Sequence, residues 1–135
     1  MSNKLVIKTD GGARGNPGPA GIGIVFEQDG KVIKKIGKYI GEGTNNFAEY
    51  TAIIEALTEA KKLGAKQLEC YLDSQLVVEQ LNQNYKVKNP ELGKLFLKVW
   101  NLVQQFEKVE FKHFYREENK LADTLVNQAI DQALK

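Results

Sequence analysis

The order of apolar patterns along the 135 residues predicts a mixed α/β fold. Three strand-like runs follow one another closely near the start, and an Asp29-Gly30 pair between the second and third is a strong hairpin signal. Two later strands are each reached through helical segments, which favours right-handed crossovers and parallel neighbours. We therefore expect a five-stranded mixed sheet, made of a three-strand antiparallel meander and two parallel strands, flanked by about four helices.

Alternation of apolar residues predicts the first three strands. Residues 4–9 carry an apolar run, residues 21–27 place Ile22, Ile24 and Phe26 on one face, and residues 31–40 alternate less regularly. The third of these runs is rich in lysine, which suits a strand near a sheet edge.

Helical spacing and capping residues predict the rest of the order. A helix is expected from the cap-type residues Thr44-Asn45-Asn46 to about residue 63, followed by a strand at 66–72 and a short helix at 74–82. An amphipathic helix begins near Leu92 and places Trp100 on its apolar face, where a tryptophan is expected to be a core residue. A fifth strand at 109–115 and a last helix at 119–135 complete the chain.

Composition indicates one ordinary domain spanning residues 1–135, with 42% hydrophobic and 27% charged residues. No apolar run approaches a membrane span, no signal-peptide core follows the start, and a cytoplasmic location is expected. A net charge of +2 excludes recognition of nucleic acid by bulk charge, so any such partner requires a local site. The single cysteine, Cys70, is expected to be buried and inert.

Four acidic residues occupy unusual positions. Asp10 and Asp73 are each expected to end a strand, while Glu49 and Asp123 lie early in the first long helix and the last helix. Each has a simpler explanation: a turn for Asp10, a helix start for Asp73, a solvated face for Glu49, and an interaction with the helix dipole for Asp123. If the two strands are parallel neighbours, however, Asp10 and Asp73 emerge at the same edge, where ligands of α/β sheets bind.

Convergence of these carboxylates would require a cation, because unpaired like charges in contact repel one another. Oxygen ligands without a Cys or His set indicate Mg²⁺ or Mn²⁺ rather than zinc. Two such ions roughly 4 Å apart are the usual apparatus for phosphodiester cleavage.

Four segments, in order, resemble the motifs of type 1 ribonuclease H: residues 9–21 (TDGGARGNPGPAG), 44–49 (TNNFAE), 72–77 (LDSQLV) and 116–123 (REENKLAD). The resemblance covers essentially the whole chain and implies a ribonuclease H-like fold. It implies an endonuclease that hydrolyses the RNA strand of RNA–DNA hybrids, leaving 5′-phosphate and 3′-hydroxyl ends. A monomer without an obligate protein partner is expected. The alternatives are an inactive hybrid-binding module and another nuclease of the wider superfamily.

By the same resemblance, Asp10, Glu49, Asp73 and Asp123 are the catalytic acids, holding two Mg²⁺ ions for which Mn²⁺ can substitute. The expected substrate contacts are Gly11, Gly12, Ala13, Asn16, Thr44, Asn45, Asn46 and Gln75. Thr44 to Asn46 can also be explained as a helix cap, and both roles can hold together.

The chain departs from the family pattern in two places. Many members carry a mobile histidine in a longer loop before the last acid, whereas the one histidine here, His113, is expected to be packed within the fifth strand. Arg116 takes the position after that strand and resembles an archaeal-like subgroup; it could contact the departing phosphate but cannot act as a base at neutral pH. The basic handle of other members is reduced to a few side chains around Lys86 and Lys88.

Overall fold

The computed structural model describes residues 4–135. Its strands are β1 (Lys4–Ala13), β2 (Gly18–Gln28), β3 (Lys31–Gly43), β4 (Gln67–Leu72) and β5 (Lys108–His113). Its α-helices are α1 (Asn45–Lys62), α2 (Gln75–Leu81), α3 (Pro90–Val103) and α4 (Lys120–Ala133), with a single 3₁₀ turn at Arg116–Glu118 before α4. The predicted order of elements is confirmed.

The strands form one five-stranded sheet in the order β3-β2-β1-β4-β5. β1, β2 and β3 pair antiparallel, whereas β4 pairs parallel with both β1 and β5. The predicted meander and two parallel strands are therefore confirmed, and the parallel pair at the centre brings the carboxyl ends of β1 and β4 together.

The first strand is longer than predicted. We expected it to end at Asp10, but Gly11, Gly12 and Ala13 continue in register with β2, so the interpretation of Asp10 as a strand end or turn residue is wrong. The parallel pairing of β1 with β4, in contrast, stops at Thr9 opposite Leu72. Asp10 is thus the first residue of β1 that no longer pairs with β4, although its backbone still pairs with β2.

The two faces of the sheet are covered by different helices. Side chains on one face of β1 and β2, such as Ile7 and Ile24, are fully buried in the same core cluster as Tyr50 and Ile53 of α1. On the other face α4 lies close against β2: a Cβ at Gly23 would stand 2.1 Å from the carbonyl oxygen of Ala122. Glycine at this position lets α4 lie directly on the strand.

Two predictions of burial are wrong. Trp100 is 43% exposed, because α3 packs beside α1 and its Val99, rather than its tryptophan, reaches the core. His113 lies in β5 as predicted, but it is the last residue of the edge strand and is exposed; its ring meets Tyr115 edge-on at 5.8 Å. Cys70 is buried as predicted, and burial raises the pKa of its thiol to about 12. Across residues 4–135, no helix is long and apolar enough to cross a membrane.

Candidate active site

Three buried or half-buried carboxylates converge at the carboxyl ends of β1 and β4. Asp10, Glu49 and Asp73 each offer an oxygen, and these atoms all lie within 4.8 Å of one another. We call this group the acidic trio. Such spacing, with oxygen donors alone, matches the ligand chemistry of Mg²⁺ and Mn²⁺.

Glu49 reaches the trio because α1 lies unusually close to β1. The backbone N–H of Gly11 donates to Glu49 Oε1 at 2.6 Å, and a Cβ at Gly11 would stand 2.3 Å from the carbonyl carbon of Ala48. Glu49 is 5% exposed, so its explanation as a solvated surface residue is wrong. The absence of a side chain at Gly11 is therefore what allows α1 to deliver this carboxylate.

Asp123 joins the site from α4 but is not part of the trio. It is exposed in the first turn of the helix, where a carboxylate also interacts favourably with the helix dipole. It lines the same cleft as the trio, and its charge is close enough to raise the pKa of Asp10. The structure thus brings all four predicted acids to one place, three as a tight group and the fourth at its border.

The electrostatics of the trio favour binding of a positive charge. Burial, followed by the nearby charges of Asp73 and Asp123, raises the pKa of Asp10 to about 8. Burial and the charge of Asp10 also raise the pKa of Glu49 well above its ordinary value. Arg116 opposes both shifts but does not cancel them. A divalent cation among these oxygens would favour the ionised forms and satisfy the site.

These shifts predict how stability depends on pH without a cation. A carboxyl whose folded pKa lies above its unfolded value stabilises the fold below the unfolded pKa, and this contribution is lost as pH rises through the folded pKa. For Asp10 the window runs from its ordinary 3.8 to about 8. In EDTA, we expect the free energy of unfolding of the wild type to fall more steeply between pH 5 and pH 8 than that of Asp10→Asn. Urea unfolding across that range measures both; parallel curves would contradict the prediction, and Mg²⁺ should flatten the wild-type curve.

The trio opens into a cleft of about 460 Å³. Asp123 and Arg116 also line it, together with five of the predicted substrate contacts: Gly11, Gly12, Ala13, Asn45 and Asn46. Residues of β1 form one wall of the cleft and the start of α1 forms another.

The other three predicted contacts lie outside that lining. Asn16 Oδ1 accepts from the N–H of Asn45 at 3.0 Å, and Asn45 Oδ1 in turn accepts from Ala13 N at 2.9 Å, which ties the turn after β1 to the start of α1. Thr44 caps α1 by accepting from Phe47 N. Gln75 is exposed at the start of α2, after Ser74 has capped that helix. Asn16 and Thr44 therefore have clear structural roles, and that of Thr44 is the helix cap expected for residues 44–46.

Sequence reasoning missed Arg14, which lines the cleft, and Asn119, which lies beside the trio. Arg14 extends along the cleft to α4, where it pairs with Asp131 at 2.6 Å and donates to Asn127 at 3.3 Å. Asn119 is buried and donates to Asp73 Oδ2 at 3.1 Å. The sequence held one signal for Asn119, because an asparagine directly before a helix is a cap-type residue. It did not reveal that the side chain points toward Asp73 rather than toward its own helix.

The fold and the site together define a class. The chain is an α/β protein whose central parallel strands, with a helix from each face, present a carboxylate cluster of the kind that holds divalent cations.

Comparison with known proteins gives the family. A family model described as reverse transcriptase-like matches residues 8–129. Ribonuclease H of Paracidovorax citrulli (strain AAC00-1) is 34% identical over 155 residues, covering 98% of this chain and 97% of that protein. A solved structure of an RNase H1 named LC11, in complex with an RNA/DNA hybrid, matches with a TM-score of 0.93 and 45% identity, covering 97% of this chain and 99% of that one. The chain belongs to the type 1 ribonuclease H family.

A further relative is longer. A bifunctional protein of Mycobacterium tuberculosis (strain ATCC 25618 / H37Rv) is 45% identical over 132 residues, which is 96% of this chain. This chain spans 36% of the length of that relative.

Proposed function

We propose that residues 1–135 act as a single catalytic domain that hydrolyses the RNA strand of RNA–DNA hybrids and leaves 5′-phosphate and 3′-hydroxyl ends. The observation that carries the proposal is the acidic trio, whose ligand oxygens lie within 4.8 Å of one another at the wall of an open cleft. Family membership and the hybrid bound to the LC11 enzyme support the same substrate.

The four acids hold the cations in this proposal. Asp10 is the central ligand, because its carboxyl group lies among those of Glu49, Asp73 and Asp123. Two Mg²⁺ ions, for which Mn²⁺ can substitute, would supply activation of the attacking water and stabilisation of the leaving 3′ oxygen. Asp10 and Glu49 are 8% and 5% exposed, so the surrounding packing restricts the positions of their side chains.

The cleft walls bind the hybrid. Backbone groups of Gly11, Gly12 and Ala13 lie against the RNA strand without side-chain bulk, and the amides of Asn45 and Asn46 hydrogen-bond its sugars or bases. The 2′-hydroxyl is the group by which such contacts distinguish RNA from DNA.

Further contacts lie beyond the cleft. Gln75, exposed at the start of α2, extends the RNA contacts, and Thr44 with Asn16 holds a phosphate of the DNA strand near the N-terminus of α1.

Arg116 takes the position of the family's loop histidine in this proposal. Its exposed side chain lines the cleft and carries the charge that opposes the raised pKa values of Asp10 and Glu49. A guanidinium there can bind the phosphate of the departing product.

The archaeal-like subgroup and the reduced basic handle stay predictions. The protein works as a monomer in the cytoplasm in this account.

A substrate panel tests the proposal. End-labelled RNA–DNA hybrid, RNA–RNA duplex, DNA–DNA duplex and single-stranded RNA are each incubated with the protein in Mg²⁺, Mn²⁺ or EDTA. We expect the RNA strand of the hybrid to be cut in either metal and not in EDTA. Binding without cutting, at high protein concentration and in both metals, would instead identify an inactive hybrid-binding module. Preferential cutting of a DNA duplex would identify another nuclease of the superfamily.

A further inference from the structure

Asn119 carries a buried side-chain amide that is neither one of the acidic ligands nor part of the cleft lining. It is 1% exposed and lies between the 3₁₀ turn and α4. Its Nδ2 donates to the carbonyl oxygen of Thr9 at 2.8 Å and to Asp73 Oδ2 at 3.1 Å. An amide nitrogen carries two hydrogens, so both of its donors are used.

The two partners fix the orientation of this amide. Both are acceptors, and a flipped amide would place Oδ1 against a carbonyl and a carboxylate, with repulsion at each. Within residues 4–135 the buried Oδ1 has no hydrogen-bond partner. The two donated hydrogen bonds therefore fix the orientation of the side chain.

The side chain also departs from the ordinary role of its position. Thr44, Ser74 and Asn89 precede α1, α2 and α3, and each accepts a hydrogen bond from its own helix. Asn119 precedes α4 but makes no side-chain cap bond. It is turned instead toward the carboxyl ends of β1 and β4, so helix capping does not explain it.

The backbone of the same residue connects to the fourth acid. The carbonyl oxygen of Asn119 accepts from the N–H of Asp123 at 3.0 Å and so begins the turn that carries this carboxylate. One residue thus contacts the backbone immediately before Asp10, the carboxylate of Asp73 and the backbone of Asp123.

We propose that Asn119 is a positioning residue for the cation site. Its Nδ2 holds one oxygen of Asp73 and sets the plane of that carboxylate, while its bond to Thr9 anchors the amide to β1 and so places Asp73 relative to Asp10. Partners of this kind orient metal ligands, and their removal typically lowers metal affinity or activity by about 10- to 100-fold. The kinetic consequence rests on the proposed function, but the consequence for cation binding does not.

The test compares Asn119→Ala and Asn119→Ser with Asn82→Ala. Serine is a preferred cap residue, so it preserves the start of α4 while being too short to join Thr9 and Asp73. Asn82 is a control for loss of an asparagine-to-backbone hydrogen bond: it is exposed at the end of α2, and its Nδ2 donates to the carbonyl of Phe111 at 3.1 Å. By titration calorimetry, we expect Mn²⁺ to bind both Asn119 variants about 10- to 100-fold more weakly than the wild type and to bind Asn82→Ala normally. In hybrid cleavage, kcat should fall in the Asn119 variants while KM stays near its wild-type value.

The outcomes distinguish failure of the positioning role from failure of the proposed function. Folded Asn119→Ser with wild-type Mn²⁺ affinity would overturn the positioning role, even if the wild type cuts hybrids. A wild type that binds Mn²⁺ but cuts no hybrid would overturn the proposed function and leave the positioning role standing.

A second measurement needs no variant, in case neither one folds. In ¹⁵N-labelled wild type titrated with Mg²⁺, the side-chain amide resonances of Asn119 should shift and those of Asn82 should not. Unmoved Asn119 resonances at a saturating Mg²⁺ concentration would overturn the inference.

Discussion

Replacing Asp73 by Asn should abolish cleavage of an RNA–DNA hybrid while leaving hybrid binding largely intact. Asparagine keeps the shape of the side chain but removes a charged ligand from the acidic trio. Loss of several kcal/mol of charge stabilisation in the transition state corresponds to about a 10³-fold or larger fall in rate. Single-turnover cleavage and fluorescence anisotropy with a labelled hybrid measure the two quantities.

Asp29→Asn is the matched control for that substitution. Asp29 lies in the exposed β2–β3 hairpin at a φ of 53°, a backbone conformation that asparagine also tolerates. The Asp29→Asn substitution removes the same charge far from the cleft, so cleavage should stay near the wild-type rate. Near-normal turnover of Asp73→Asn would show that this acid is misassigned.

Gly11→Ala should both destabilise the fold and weaken cation binding. The new Cβ would stand 2.3 to 2.5 Å from backbone atoms of Ala48 and Glu49, so α1 itself must move rather than a flexible side chain. Overpacking of this kind costs typically about 1–3 kcal/mol, occasionally more. Displacement of α1 also draws the Glu49 carboxylate away from Asp10 and Asp73. Urea unfolding measures the first effect and Mn²⁺ titration the second.

The neighbouring glycine provides a control within the same strand. A Cβ at Gly12 would have its nearest contact at 4.0 Å, to the side chain of Val126, which is ordinary van der Waals contact. Gly12→Ala should therefore unfold at nearly the wild-type urea concentration. Equal stability of the two variants would contradict the close approach of α1 to β1.

The order of the elements could be predicted from sequence because local patterns determine it. Alternation in β2, the Asp29-Gly30 hairpin and helical spacing in α1 are all readable within a few residues, and each was confirmed. The length of β1 was not readable. Residues 11 to 13 have turn-like composition, and it is pairing with β2 that makes them a strand.

Burial at the edges of the fold was equally hard to predict. Trp100 has core-like spacing on an amphipathic helix, but α3 packs beside α1 and leaves the ring 43% exposed. His113 alternates with apolar residues, yet it ends an edge strand. Spacing defines a face of an element, whereas the neighbour that covers that face is set by tertiary packing.

The four acids could be predicted as a group because the motifs that carry them resemble those of the family, and the expected strand pairing placed Asp10 and Asp73 at one edge of the sheet. The difference in their burial could not be predicted, because the sequence does not reveal that Asp123 remains exposed while Glu49 is nearly inaccessible. The contacts of Asn119 were also hidden, since they join residues 46 and 110 positions apart along the chain. Long-range hydrogen bonds of this kind leave no local pattern.

The most direct test of the account is the position of Mn²⁺ in crystals of the wild-type protein. The central claim is that Asp10, Glu49 and Asp73 form a cation site. We expect an anomalous scattering peak among their carboxylates, at the short distance of about 2 Å typical of oxygen ligands, and its loss in EDTA. Mn²⁺ bound elsewhere, with these three carboxylates left uncoordinated at a saturating concentration, would contradict the claim.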